Sequence, residues 1–190
     1  LIKEAKIDSE HLNRDEIVSM LVQLLSAGNE TTTSLIGSAL MLLIQTPDLQ
    51  QQLRQHPEKI DKFIEEALRL ESPFHGHFRV TTKATTLGGV HLKAGSRLML
   101  LWSAANRDSQ KFENPEEINL ERAKPKSHLA FGYGIHHCIG AVLARMEAKI
   151  AIETILNRSS SLSLSNENNF KHVPSLFIRS LKKLIINIEK

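Results

Sequence analysis

Between the polar flanks at Asn13 and Thr46-Pro47, the run from Asp15 to Ile44 reads as one long helix, apolar enough to be buried. Asn13 stands at its N-cap position, Glu16 follows three residues on as in a capping box, and Thr46-Pro47 supplies the stop. Ser26, Asn29, Glu30, Thr31, Thr32, Thr33 and Ser34 interrupt the apolar run with a polar block. Such a block is costly at mid-bilayer, so the pattern predicts a core helix with a polar waist and no membrane span. Two shorter helices are expected over Pro47–Gln55 and Pro57–Leu70, each opened by a proline suited to a first turn and the second ended before Ser72-Pro73. The period then changes. His77–Lys83, Thr85–Leu92 and Arg97–Trp102 are rich in Val, Thr and Leu, with Gly88-Gly89 and Ala94-Gly95 between them, and predict a small antiparallel sheet. A loop-rich stretch runs from Asn106 to His137 and a further helix from Ile139 to Asn157. The polar Ser159–Asn169 loop and a Pro174–Ile188 tail with strand character follow. The fold class is therefore mainly α with a small antiparallel β-sheet.

Composition narrows the function classes. With 41% hydrophobic and 24% charged residues over 190 positions, the chain has the make-up of one globular domain. The net charge of +3 is small and scattered, which argues against a nucleic-acid partner. A single cysteine excludes an internal disulfide and any CxxC site built by this chain alone. Leu1-Ile2-Lys3-Glu4 carries neither an apolar signal region nor an initiator Met, and the chain reads as a fragment.

The densest chemistry lies in Phe131-Gly132-Tyr133-Gly134-Ile135-His136-His137-Cys138-Ile139-Gly140. The glycines permit a tight loop that brings Cys138 to the mouth of the following helix, where backbone amides favour an anion. A thiolate there suits a metal, and Gly140 would let the helix lie against a flat cofactor. A lone buried cysteine and a zinc ligand are the alternatives, although consecutive His136, His137 and Cys138 lack the paired spacing of zinc sites. In Ala27-Gly28-Asn29-Glu30-Thr31-Thr32 the ordinary reading is a mid-helix threonine bonded back one turn. Glu66 and Arg69 share a helical face, a pairing that contributes only about 0.2–0.5 kcal/mol on a surface.

These segments resemble the cytochrome P450 family. The cysteine loop matches its haem signature F-G-x-G-x-[HR]-x-C-x-G at every fixed position, and Glu30 and Thr31 match its oxygen-activation motif [AG]-G-x-[DE]-T. Glu66-Ala67-Leu68-Arg69 matches its E-x-x-R pair, with Arg122 as the third member. Further matches run through His77-Phe78-Arg79, Asn106-Arg107-Asp108, His128-Leu129-Ala130-Phe131 and Ser175 to Arg179. The resemblance implies the C-terminal, haem-binding portion of that fold, with haem b (iron protoporphyrin IX) as cofactor and Cys138 as its axial ligand. It places Phe131, Gly132 and Gly140 against the haem, His136 and Arg79 on its propionates, and Glu30 and Thr31 on a proton path. The expected role of Glu66, Arg69 and Arg122 is a buried charge network that supports the loop.

The implied activity is insertion of one oxygen atom from O2 into a small apolar organic substrate, with electrons from a ferredoxin or flavodoxin-type donor. A bacterial, cytoplasmic protein is the expected setting. The resemblance leaves out the family's N-terminal half. That omission predicts an exposed apolar patch on the Ile17–Ile44 helix and weak haem retention by the isolated chain. The alternative is a non-catalytic remnant of the fold that binds haem weakly or not at all.

Overall fold

The computed structural model describes residues 6–7 and 10–190. Leu1–Glu4, read above for a signal region, lies outside them. A two-residue pair, β1 (Lys6–Ile7) and β2 (Glu10–His11), precedes α1 (Arg14–Gln45). The predicted cap is present. Asn13 Oδ1 accepts from the Asp15 and Glu16 amides at 3.0 Å, and Glu16 Oε2 accepts from the Asn13 amide at 2.8 Å. Helix α2 (Leu49–Gln55) starts two residues later than expected because Asp48 takes a left-handed φ of 59°. A tight turn at Pro57–Lys59 then leads into α3 (Ile60–Leu70).

The expected single sheet is instead a set of separate two-stranded antiparallel pairs. Strand β3 (Gly76–Val80) pairs with β6 (Arg97–Leu101), and β4 (Thr85–Leu87) forms a hairpin with β5 (Val90–Leu92). Gly88 and Gly89 turn that hairpin at φ of 54° and 80°. Gly76 is a close approach, since a Cβ there would lie 2.2 Å from the Leu100 carbonyl oxygen. Trp102, expected in the strand, instead opens the short helix α4 (Trp102–Ala105). Helix α5 spans Ala141–Arg158.

The Ser159–Asn169 segment is not all loop. Ser161-Leu162-Ser163-Leu164 alternates with strand period and forms β7 (Ser161–Leu164), paired to β8 (Ile186–Glu189). Leu162 joins the core, and Gln50 brackets its backbone with bonds of 2.9 and 3.0 Å. Of the expected strand character in the Pro174–Ile188 tail, only its end joins this pair. Elsewhere the tail makes the isolated bridges of Ile178 to Phe74 and of Leu181 to His172.

The core gathers Leu35, Ala39 and Leu43 of α1, Phe63, Ile64 and Ala67 of α3, and Ala148, Ile152 and Leu156 of α5. All three α1 contributors lie in its second half. The reading of α1 as a core helix is thus corrected for its first half, where Val18, Leu21, Val22, Leu24 and Leu25 are exposed. This is the apolar patch the resemblance implied. Helical period sets which face seeks burial, but other segments must cover it. Among the described residues no helix is long and apolar enough to cross a membrane.

Candidate functional site

The cysteine loop is built from short-range backbone bonds. The Gly132 amide donates to Leu129 O at 2.9 Å, and the His137 amide to Gly134 O at 3.0 Å. The Cys138 amide donates to Phe131 O at 2.9 Å, closing the loop. Gly132 and Gly134 hold φ of 70° and 74°, a region that other residues resist. Gly140 then caps α5, two residues after Cys138, so the thiol stands at a helix N-terminus. Cys138 is a free cysteine and is exposed among the described residues. Among the described residues no three His, Cys, Asp or Glu side chains gather as a metal set, so the zinc alternative has no ligand set there.

Glu66 and Arg69 form a buried ion pair on α3. Both side chains are 0% exposed, and each carboxylate oxygen of Glu66 meets a guanidinium nitrogen of Arg69 at 2.9 Å. Arg69 uses all five of its N–H donors, the rest going to the carbonyls of Asn106, Pro115 and Glu117. Arg122 joins through Nε to Glu66 Oε1 at 2.9 Å, and the Asn119 amide adds a bond of 3.0 Å. Burial pushes the Glu66 pKa up, but these bonds outweigh it and hold the carboxyl below its ordinary value. Asn106 carries the network to the cysteine loop. Wholly buried, it accepts Arg69 Nη1 on its backbone oxygen, the Leu129 amide on Oδ1 at 2.6 Å, and donates to Ser72 Oγ at 2.9 Å.

On α1, the Thr31 hydroxyl donates back to Ala27 O at 2.6 Å, the ordinary helical arrangement. Glu30 is exposed in the same turn. A groove of about 400 Å³ separates α1 from the start of α5, lined on one side by Gly28, Asn29 and Thr32 and on the other by Gly140 and Leu143. Gly140 thus faces the motif turn of α1, whereas Glu30, Thr31 and Cys138 do not line the groove.

Arg79 lies on β3, exposed, with Nη1 bonded to Phe78 O at 2.8 Å. Sequence reasoning gave its neighbour His77 no separate role, although it was part of the matched segment. The Trp102 indole donates to His77 Nδ1 at 2.8 Å, so the ring's proton sits on Nε2. Burial lowers the His77 pKa, and the proximity of Arg79 and then of His136 lowers it further. Strand β3 and the cysteine loop therefore bring Arg79, His77 and His136 into one electrostatic neighbourhood. Among the described residues none of the three pairs with a carboxylate.

These residues fit the haem that the resemblance implies. A lone accessible thiol is available for iron, and the basic cluster is available for propionates. A Cβ built on Gly140 would sit 3.8 Å from Cys138 Sγ, so the missing side chain clears space beside the sulfur.

The Cytochrome P450 family model matches residues 1–186. Cytochrome P450 144 of Mycobacterium tuberculosis is 46% identical over 170 residues, covering 90% of this chain and 39% of the relative. Cytochrome P450 109 of Bacillus spizizenii is 39% identical over 189 residues, 99% of this chain and 46% of the relative. The crystal structure of CYP109E1 from Bacillus megaterium in complex with testosterone superposes with a TM-score of 0.92 at 38% identity, over 98% of this chain and 52% of that one. The chain spans about half or less of the length of these proteins. From the cysteine loop to the buried arginine network, and across nearly its whole length, this chain belongs to the cytochrome P450 family.

Proposed function

We propose that the protein containing this chain is a haem-thiolate monooxygenase that inserts one oxygen atom from O2 into an apolar organic substrate. The observation that carries the reading is the setting of Cys138, the chain's only thiol, exposed at the start of α5 with its amide fastened to Phe131 O. Bound haem b would supply the oxygen activation and electron storage that side chains lack. Cys138 offers the iron an electron-donating thiolate. Phe131 and Gly132 hold its loop, Gly140 clears the face beside it, and Arg79 and His136 take the propionates. His77, with its proton on Nε2, stands beside them as a further donor.

Glu30 and Thr31 handle protons. The Thr31 hydroxyl proton is engaged at Ala27 O, so passing it inward requires rotation away from that carbonyl. The rotation gives up a bond of about 1 kcal/mol net. Thr31→Ala should therefore keep haem binding and lower the product formed per NAD(P)H consumed, while unchanged coupling would remove Thr31 from the path. The testosterone complex of CYP109E1 supports an apolar substrate. Electrons would come from a ferredoxin or flavodoxin-type donor, and the similarity to bacterial relatives supports a cytoplasmic setting. Turnover under isotopically labelled O2 tests the reaction: one labelled atom should enter the product, and unlabelled product would overturn it.

A second reading, weak haem retention, applies to the 190 residues in isolation. It is favoured by the open apolar rim of the site, where Ile139 is 92% and Leu25 71% exposed. Haem content per chain after gel filtration should be low for the isolated chain and stoichiometric for the longer protein.

A further inference from the structure

Glu65 stands one residue before the motif glutamate, turned about 100° around α3. It is only 4% exposed. A buried carboxylate without partners would be costly, and Glu65 has a complete set. Its two oxygens accept from Arg145 Nε at 2.6 Å and Nη2 at 3.0 Å, a bidentate pair. Oε2 also meets His128 Nε2 at 2.9 Å. His128 Nδ1 accepts the Ala130 amide at 3.2 Å, which leaves the donated proton on Nε2. Burial pushes the Glu65 pKa up, but the bonds from His128 and Arg145 prevail and hold it below its ordinary value.

Arg145 reaches the cysteine by two short routes. Its guanidinium carbon lies 4.5 Å from the centre of the Phe131 ring, and Phe131 O receives the Cys138 amide at 2.9 Å. Its Nη1 also donates to Ala141 O at 3.3 Å, and the Ala141 amide donates to Cys138 O at 3.3 Å. None of these three side chains shares an ion pair with the Glu66, Arg69 and Arg122 network, and Glu65 and Glu66 point about 100° apart around α3.

We propose that Glu65, His128 and Arg145 form a second clamp beneath the Cys138 loop, with Arg145 a positioning residue whose charge, balanced by Glu65, tunes the thiolate ligand. The inference rests on the reading of Cys138 as iron ligand. Groups that surround a metal's ligands set its electronic properties as the ligands themselves do. Reduction adds one electron to the iron–thiolate unit, so a nearby cation favours the reduced form. Removing Glu65's charge leaves the Arg145 cation uncompensated; removing Arg145's charge leaves the anion.

The test is the ferric/ferrous midpoint potential of the haem-loaded longer protein that contains this chain, with its ferrous–CO spectrum recorded alongside. Glu65→Gln should shift the potential upward and Arg145→Gln downward, and the double variant should lie nearer the parent than either. Arg145→Lys keeps the charge and should lie nearer the parent than Arg145→Gln. A purely structural role predicts shifts of one sign, with Lys no better than Gln, and that result overturns the clamp. If Glu65→Gln does not retain haem, the order of the two Arg145 variants decides by itself. A parent protein without a thiolate-type band overturns the Cys138 reading and the clamp with it. A parent with that band and no opposed shifts overturns the clamp alone.

Discussion

The two sides of the cysteine loop are held in opposite ways. Beneath it, α3 presents Glu65, Glu66 and Arg69, all buried and saturated with hydrogen bonds to α5, the 106–122 segment and the loop itself. Beside it, the first half of α1 carries a row of exposed apolar side chains from Val18 to Leu25, of which Leu24 and Leu25 line a groove with Leu143, and Ile139 and Val142 are exposed as well. Buried charge is tolerated only where every group has a partner, so the lower side carries its own stability within this chain. Exposed apolar surface on this scale marks a face meant to be covered, so order on the open side depends on what lies against it. The support of the thiol is internal to these residues, and the enclosure of the thiol is not.

The largest test of that contrast is Arg69→Ala, which strands Glu66 and three carbonyls. It should cost about 3–5 kcal/mol, read from the urea denaturation midpoint. Acid should act on the same side. Glu65 and Glu66 titrate below the ordinary glutamate value of 4.5 in the folded chain, so unfolded carboxylates protonate first on acidification. Their contribution is complete above that value and is lost as the pH falls through the lower folded values. Urea midpoints from neutral pH down to about pH 3 should decline accordingly, and a flat profile would contradict the network. The smallest effect is expected on the open side. Leu25→Gln should change stability by no more than about 0.5 kcal/mol, since little packing is lost and helix propensity is kept. It should reduce self-association on gel filtration.

What could be read in advance depended on how local the cause was. The start of α1 was legible because Asn13 and Glu16 satisfy each other across one turn. The cysteine loop was legible because its glycines and cysteine lie within ten positions. Glu66 and Arg69 share one helix, but the approach of Arg122 from more than fifty residues away came only with the family motif. Strand β7 was missed because serine-rich composition suggested a loop, while the period-two placement of Leu162 and Leu164 was the better signal. Glu65 carried no signal of its own, since its partners His128 and Arg145 come from distant parts of the chain. The exposure of α1's first half was illegible from pattern, because hydropathy tells which face seeks cover and not what covers it.

The central claim is that Cys138 is the iron ligand held up by this network. Its most direct test is the ferrous–CO absorption spectrum of the haem-loaded longer protein, compared with its Cys138→Ala variant. The parent should show the red-shifted Soret band of a thiolate-ligated haem, and the variant should lose it while Arg69 and its partners keep the chain folded. An identical band in both proteins would contradict the account.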